Sequence, residues 1–213
     1  MPDISQYAQW FARPSADVQR DLESFAELLL KWNATQNLVS RETEKSLWER
    51  HIVDSLQVLP LVGRPWAGLN GLDVGSGGGL PAIPLAIAAK GSSARFTLVE
   101  PVQKKVSFLR TAIRELQLPA TVFAGRVEQI DSRETPVDLI TSRALAELRG
   151  LCALIHPFFG PETVAILHKG KDHAVELAES RLAWDVDVVL TNSVTDDRGV
   201  LLRLTNLRPK SGV

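Results

Sequence analysis

The chain has 213 residues, of which 45% are hydrophobic, enough to bury the core of one domain but not of two large ones. Its 24 basic and 25 acidic residues give a net charge of −1, so any contact with a nucleic acid must come from a local patch of positive charge. The one cysteine, Cys152, excludes an internal disulfide, and no apolar run approaches the ~18 residues needed to span a bilayer. We therefore expect a cytoplasmic protein without a membrane anchor.

Two amphipathic helices are predicted at the beginning of the chain. The first begins near Ser15 and is interrupted by a cluster of Asn and Thr residues at 33–37. The second follows Thr43 and runs to the next proline. Because both helices precede the first strand, we interpret residues 1–66 as a helical cap within a single domain, whose α/β core is formed by residues 67–213.

A glycine-rich loop follows the first predicted strand, Leu72–Val74, and precedes a helix at Leu80–Ala89. Glycines at Gly75, Gly77 and Gly79 lack side chains and tolerate positive φ, so a ligand can approach the backbone itself. The helix that follows would direct its free N–H groups and its positive dipole end toward the loop. We expect the loop to form part of a ligand-binding site.

The spacing of the glycines separates two classes of ligand. The dinucleotide fingerprint, G-x-G-x-x-G, requires a third glycine at the position of Leu80. Instead, Asp73 precedes the loop, and Glu100 follows the next predicted strand, Arg95–Val99. This arrangement looks like the first motif of S-adenosylmethionine-dependent methyltransferases. A nicotinamide-binding oxidoreductase and a cofactor-binding regulator without turnover remain as alternatives.

Strands and helices alternate through the rest of the chain. Predicted strands at 121–124, 137–141 and 163–167 are separated by helical patterns, which is typical of a parallel sheet covered on both faces. Two final strands, Val186–Leu190 and Val200–Leu204, are connected by a turn-forming cluster and should form a hairpin with one antiparallel strand. The predicted fold class is therefore α/β, with a mostly parallel sheet and a helical cap.

Several segments together resemble one protein family. They are Asn37–Thr43, Trp48–Leu56 and Asp73–Pro81, and the likeness continues through 126–128, 142–144 and 167–171. The family is the bacterial ribosomal RNA small-subunit methyltransferase G family, formerly called glucose-inhibited division protein B. The resemblance implies a Rossmann-like class I methyltransferase fold. It also implies transfer of a methyl group from S-adenosylmethionine to N7 of one guanine in 16S rRNA, near the decoding site.

The resemblance, together with the rule that ligands of α/β sheets bind beyond the carboxyl ends of the strands, gives individual residues a role. Glu100 is placed to accept hydrogen bonds from the ribose hydroxyls, and Val127 and Glu128 to meet the adenine. Arg143 is the candidate catalytic residue, because its planar donors can orient the cofactor or the base. The full set of expected cofactor contacts is Asp73, Gly75, Gly77, Leu80, Glu100, Val127, Glu128 and Arg143.

A rim of cations is expected to hold RNA phosphates, which position the substrate without reading its sequence. The candidates for RNA binding are Arg41, Lys45, Arg50, Lys169 and Lys171. The expected partner is 16S rRNA or the small ribosomal subunit, and a methyltransferase for a small molecule or another RNA is the alternative. We expect a monomer. We expect no metal site, because Cys152 and His156 are accompanied by no second pair of ligands.

The proposed chemistry also explains which catalytic groups are not required. N7 of guanine carries an in-plane lone pair and no proton, so its attack on an activated methyl group needs no general base. Proximity and alignment then supply most of the rate. We interpret His51 as a residue that braces the cap against the sheet rather than as a catalyst.

Overall fold

The computed structural model describes residues 4–143 and 145–210, in which seven strands form one sheet. The strands are β1 (Asn70–Val74), β2 (Arg95–Val99), β3 (Ala120–Phe123), β4 (Leu139–Arg143), β5 (Val164–Lys169), β6 (Trp184–Asn192) and β7 (Val200–Pro209). Their order across the sheet is β3-β2-β1-β4-β5-β7-β6. Strands β1 to β5 are parallel, whereas β7 is antiparallel to β5 and β6 is antiparallel to β7. The predicted fold class and the C-terminal hairpin are confirmed.

Helices cover both faces of the sheet. Within the described ranges, the α-helices are α1 (Ser15–Gln36), α2 (Arg41–Glu44), α3 (Asp54–Leu56), α4 (Leu59–Val62), α5 (Ala82–Ala89), α6 (Gln103–Glu115), α7 (Leu148–Ile155) and α8 (His173–Ser180). The 3-10 helices are Ser5–Trp10, Val127–Gln129 and His156–Phe158, and Trp48–Val53 forms a π-helical segment. None of the helices in the described ranges is both long and apolar enough to cross a membrane.

The sheet places its ligand-binding edge between β1 and β4. From β1 the chain moves outward to β2 and β3, and it then returns to β4 on the other side of β1. Ligands of open α/β sheets bind at such a reversal of strand order, beyond the carboxyl ends of the strands. The strand ends at Val74, Val99 and Arg143 therefore border the expected site.

The helical cap shares the apolar core of the sheet. Phe25 and Leu29 on α1 are fully buried, and they belong to the same apolar cluster as Ile83 and Phe108. The rings of Phe25 and Phe108 lie 6.3 Å apart between centroids. Burying side chains of this size stabilises a fold by about 1.5–3 kcal/mol each. The division of the single domain at residue 66 stays a prediction.

The structure corrects the predicted helices of the cap. The first helix continues through the expected interruption, because the side chain of buried Asn33 accepts a hydrogen bond from the N–H of Val39, at 2.9 Å. It ends at Gln36, within the polar cluster, with Asn37 in the left-handed region at φ 51°. The second predicted helix is helical from residue 47 to residue 56, but its centre, Trp48–Val53, is π-helical, and a turn at 57–58 separates it from α4. Helical periodicity does not distinguish these features from a regular α-helix.

The fourth strand extends two residues beyond its predicted end. It continues past Thr141 because Ser142 and Arg143 pair with Leu167 and His168 of β5. Arg143 is therefore the last residue of β4 rather than a residue of the loop beyond it. Ala144, which was part of the resemblance, lies outside the described residues.

Candidate active site

The glycine loop, which we call the glycine cradle (Gly75–Gly79), closes over the carboxyl end of β1. The N–H groups of Gly75 and Ser76 both donate to the carbonyl of Val99, each at 3.0 Å, and this fixes the loop against the end of β2. The three alternating glycines have φ values of 75°, 54° and 78° along the chain. Residues with side chains rarely adopt these conformations, which explains why glycines occupy the positions.

The cradle is tightly packed at its two ends and open at its centre. A Cβ atom on Gly79 would lie 2.5 Å from Cγ1 of Ile83, and one on Gly75 would lie 2.6 Å from Cδ1 of Leu145. A Cβ atom on Gly77 would meet nothing closer than the carbonyl oxygen of Gly75, at 3.8 Å. The space above Gly77 is therefore available to a ligand.

Glu100 lies beside this space, at the end of β2. Its side chain is buried, and its two carboxylate oxygens accept hydrogen bonds from the N–H groups of Gly77, at 2.8 Å, and Val102, at 2.9 Å. Each carboxylate oxygen has a further lone pair. The carboxylate is thus held rigidly against the cradle and can still accept hydrogen bonds from the hydroxyls of a ligand.

Asp73 lies beneath the cradle and is almost fully buried. Its Oδ1 accepts a hydrogen bond from the hydroxyl of Thr141, at 2.6 Å, but its buried Oδ2 has no partner among the described residues. Burial raises the pKa of Asp73 to about 6, although the side chains of Ser76 and Thr141 act in the opposite direction. An unpartnered carboxylate oxygen in this position favours a ligand that carries a donor or a positive charge.

The third strand contributes Val127 and Glu128 to the same edge. Glu100 donates its N–H to the carbonyl of Phe123, at 3.1 Å, so the segments after β2 and β3 lie side by side. Val127 is buried and Glu128 is exposed, and both belong to a short 3-10 helix. N–H groups in the first turn of a helix have no intrahelical acceptor and are free to bind a ligand. Leu80, at the far end of the cradle, is buried.

Arg143 makes its contacts with the cap rather than with Glu100. Its Nη1 donates to Oδ2 of Asp54, at 2.8 Å, and its Nη2 lies 2.6 Å from Nδ1 of His51. Because arginine can only donate, His51 accepts at Nδ1, and its protonated Nε2 faces Oγ1 of Thr43 at 2.8 Å. Burial and the charge of Arg143 lower the pKa of His51 to about 4. His51 is therefore a neutral ring with both nitrogens engaged, as its interpretation as a brace requires.

Asp54 connects this pair to two further elements. Its Oδ1 accepts hydrogen bonds from the hydroxyl of Thr195, at 2.6 Å, and from the amide of Gln57, at 2.7 Å. Its backbone carbonyl accepts a hydrogen bond from Nε2 of His168, at 3.0 Å, and burial lowers the pKa of His168. Asp54 thus joins the cap to β4, to β5 and to the loop of the C-terminal hairpin. We call this network the polar junction: Thr43, Arg50, His51, Asp54, Arg143, His168 and Thr195.

A cleft of about 480 Å³ lies beside the polar junction. Leu145 lines the cleft and lies against Gly75, so its side chain borders both the cleft and the glycine cradle. Arg143, Glu147, His168 and Asp196 form other parts of the cleft wall. The arrangement can hold one ligand on the cradle and a second group beside it.

Comparison with known proteins identifies the family. A family model described as rRNA small subunit methyltransferase G matches residues 18–200. The chain belongs to this family. It is 46% identical over 185 residues to ribosomal RNA small subunit methyltransferase G of Cereibacter sphaeroides. The aligned region covers 86% of this chain and 87% of that protein. It is 42% identical over 195 residues to the protein of the same name from Bartonella tribocorum, covering 91% and 90%. The predicted family membership is confirmed.

Solved structures confirm the class I methyltransferase fold of this family member. A methyltransferase from Aquifex aeolicus, described as dependent on S-adenosylmethionine, superposes with a TM-score of 0.58 at 16% identity, covering 75% of this chain and 92% of that one. The glycopeptide N-methyltransferase MtfA, in complex with S-adenosylmethionine, gives a TM-score of 0.57 at 13% identity, covering 73% and 93%. At these low sequence identities, the similarity shows that the fold is shared.

Two of the five cations expected to hold RNA are already engaged within this methyltransferase G family member. Lys169 is mostly buried, and its Nζ lies 2.6 Å from both the carboxylate of Glu176 and the carbonyl oxygen of Ala146. Arg50 donates to Asp196, at 3.0 Å, and to the carbonyl of Thr195, at 2.8 Å. These internal contacts were not expected from the sequence, and the contact of Lys169 and Arg50 with RNA stays a prediction.

The other three cations, Arg41, Lys45 and Lys171, are exposed, and their contact with RNA stays a prediction. Within the described ranges, no group of three or more His, Cys, Asp and Glu side chains could hold a metal ion.

The sequence analysis missed three residues of the site. Asp54 was quoted only as part of the family resemblance, although its position in that segment was the available signal for its importance. Leu145 was given no place beside the cradle, because its position against Gly75 depends on how the chain folds after β4. For Thr195, in the hairpin loop, the sequence carried no signal, because its role depends on a contact with Asp54, 141 residues earlier in the chain.

Proposed function

We propose that this protein transfers a methyl group from S-adenosylmethionine to N7 of one guanine in the 16S rRNA of the small ribosomal subunit. Membership of the rRNA small subunit methyltransferase G family supports this class of reaction. The observation that carries the proposal is the open space above Gly77, which is flanked by the carboxylate of Glu100 and, at Gly75, by the cleft that Leu145 lines.

The residues around this space fit the cofactor. The unpartnered Oδ2 of Asp73 matches the ammonium group of its methionine part, directly or through a water. Backbone groups of Gly75 and Gly77 would hold the rest of that part. The carboxylate of Glu100 would accept hydrogen bonds from the ribose hydroxyls. Three further residues would complete the site: the N–H groups of Val127 and Glu128 would meet the adenine edge, and Leu80 would pack beside the cofactor.

The protein has no proton to remove in this reaction. When bound, S-adenosylmethionine supplies a methyl group activated by its sulfonium sulfur. Because N7 of guanine offers a lone pair, the histidines of the polar junction need not act as bases. His51 has hydrogen-bond partners at both nitrogens, and Nε2 of His168 donates to Asp54. The protein's contribution is then to hold the two reactants in line and to exclude water.

Arg143 acts in this proposal as a positioning residue. Both of its terminal nitrogens bind the cap, through Asp54 and His51, while its backbone ends the strand beside the cradle. It thereby sets the distance between the cap and the glycine cradle. The proposal includes a monomeric enzyme that acts in the cytoplasm, where the expected substrate is assembled.

The test is methyl transfer from labelled S-adenosylmethionine to ribosomal subunits. The purified protein should label the 16S rRNA of small subunits taken from cells that lack this enzyme, and it should not label large subunits. Small metabolites from the same cells serve as competing substrates. Label that enters only metabolites or protein would contradict an RNA substrate, whereas absence of S-adenosylhomocysteine binding would contradict the cofactor.

A further inference from the structure

The first turn of α6 has an unusual charge. It contains Lys104 and Lys105 and no acidic residue. The N-terminal end of a helix is the positive end of its dipole, so a cation there is less favourable than an anion by about 0.3–1 kcal/mol. Lys104 is exposed and Lys105 is partly buried. Neither forms an ion pair with a described residue, and the anion at this helix end is the buried carboxylate of Glu100, which binds the N–H of Val102.

Arg126 adds a third cation at the same edge of the sheet. Strands β2 and β3 are parallel neighbours, with Val99 opposite Phe123, so the segments that follow them lie at one edge of the sheet. Arg126 is exposed and makes no ion pair within the described ranges, although Glu128 follows it closely in the chain. The nearby carboxylate of Glu100 already binds two backbone N–H groups. We call Lys104, Lys105 and Arg126 the α6–β3 cation cluster.

The α6–β3 cation cluster and the cap cations lie on opposite sides of the glycine cradle. The cradle follows β1, while the cluster follows β2 and β3, and exposed Lys171 follows β5. Four strand spacings separate β3 from β5, which corresponds to about 19 Å at about 4.8 Å each. The cap side also has exposed Arg41 and Lys45, next to Thr43 of the polar junction. Free positive charge therefore flanks the cradle on both sides in a chain with a net charge of −1.

We propose that the α6–β3 cation cluster is a phosphate-binding site for the RNA substrate, across the glycine cradle from the cap. A single strand would then cross the cradle and be held by its backbone on both sides. Phosphate contacts position a nucleic acid without reading its sequence. A base between two held segments can be extruded from its stack into a site below it. The inference rests on the proposed function and adds where the RNA lies.

The test compares two triple variants with the same loss of charge. The first is Lys104→Ala, Lys105→Ala and Arg126→Ala. The control is Arg95→Ala, Arg110→Ala and Arg114→Ala, which removes exposed cations without ion pairs from the start of β2 and from the middle and last turn of α6. Both variants are titrated with small subunits over a range of KCl concentrations, with S-adenosylhomocysteine, and with vesicles of anionic phospholipid.

The cluster variant should bind subunits at least tenfold more weakly, and its KM for subunits should rise with little change in kcat. The slope of log affinity against log salt should become shallower by about 2, since each lost phosphate contact removes about 0.7. Affinity for S-adenosylhomocysteine should stay within twofold of wild type, and the control should behave as wild type. Lys104→Ala alone should produce about a third of the change in slope, which guards against misfolding of the triple variant.

Three results would overturn the inference: an unchanged salt slope, a parallel loss of S-adenosylhomocysteine affinity, or loss of vesicle binding with subunit binding intact. Failure of the proposed function is a different result. If the wild-type protein binds subunits but methylates no RNA, the proposed function fails, and the salt slopes still decide the role of the cluster. If the wild-type protein binds no RNA, both fail.

Discussion

The glycine cradle and the polar junction are adjacent but are built in different ways. The cradle is made of backbone, from residues close together in the chain, and only Glu100 contributes a distant carboxylate. The polar junction is made of side chains from the cap, β4, β5 and the loop of the C-terminal hairpin, and its bond between Asp54 and Thr195 joins residues 141 positions apart. A backbone site needs the right conformations, whereas a side-chain network needs every partner. The two regions should therefore respond differently to substitution.

The largest effect is expected in the polar junction, from Asp54→Ala. This change leaves the largely buried guanidinium of Arg143 without its carboxylate and removes acceptors from Thr195 and Gln57. Loss of one partner of a buried ion pair is strongly destabilising, so the free energy of unfolding should fall by about 3 kcal/mol. Urea denaturation followed by circular dichroism measures this change.

Asp196→Ala is the matched control for that prediction. Its ion pair with Arg50 joins the same cap and hairpin loop, but the two side chains are 31% and 37% exposed. A pair exposed to this extent contributes about 0–1 kcal/mol. Equal destabilisation by the two variants would show that the junction is no more than a set of surface contacts.

In the cradle, the largest effect is expected from Gly79→Ala. The alanine would have to adopt φ near 78°, which is unfavourable for a residue with a side chain. Its Cβ would also lie 2.5 Å from Cγ1 of the buried Ile83. Strain and overpacking together should lower the free energy of unfolding by at least about 2 kcal/mol. Gly91→Ala is the control, because φ there is 94° but no atom lies within 4 Å of the added Cβ. If the two variants lose the same stability, the packing around the cradle contributes nothing.

The sequence predicted the cradle more completely than the junction, for a physical reason. Glycine spacing, the strand before it and the helix after it are local properties, so Gly75, Gly77 and Glu100 could be placed together at the edge of the sheet from pattern alone. The alternation of strands and helices likewise led to the parallel sheet and to the final hairpin. These features follow from periodicity and from backbone chemistry.

The junction could not be predicted in the same way. Arg143 was selected for its position after a strand, but its partners, Asp54 and His51, depend on how the cap is oriented on the sheet. The second helix of the cap was predicted as a regular helix, whereas Trp48–Val53, which contains His51 and precedes Asp54, is π-helical. The ion pairs of Lys169 with Glu176 and of Arg50 with Asp196 could not be predicted either, since an ion pair across elements leaves no local pattern.

A smaller effect is expected on cofactor affinity, from Glu100→Ala. Loss of the carboxylate removes hydrogen bonds to the ribose and also frees the N–H of Gly77 that it holds. Isothermal titration with S-adenosylhomocysteine should show binding weakened by about 1–2 kcal/mol. Glu100→Gln, which keeps one acceptor oxygen, should lose less. Unchanged affinity in Glu100→Ala would remove Glu100 from the cofactor site.

The smallest effect on cofactor affinity is expected from pH, through Asp73. Burial raises its pKa from 3.8 to about 6, so the folded state favours the protonated carboxyl. Its contribution to stability is then fully present below pH 3.8 and is lost as the pH rises to about 6. In the same window, affinity for S-adenosylhomocysteine should increase severalfold, because an ionised carboxylate attracts its ammonium group.

The control for the pH effect is Asp73→Asn, because the asparagine side chain cannot ionise. Urea denaturation and cofactor titration between pH 4.5 and 7.5 should both lose the component that is centred below pH 6 in the wild-type protein. A variant that keeps the same pH dependence would assign that titration to another group.

The most direct measurement of the central claim is the identity of the methylated nucleoside. Small subunits from cells that lack the enzyme are treated with the purified protein and labelled S-adenosylmethionine, and their 16S rRNA is digested to nucleosides and separated. Because the site needs no general base, we expect the label to migrate only as 7-methylguanosine, derived from a single guanine. Label in a methylated exocyclic amine, in 5-methylcytidine or at several guanines would contradict it.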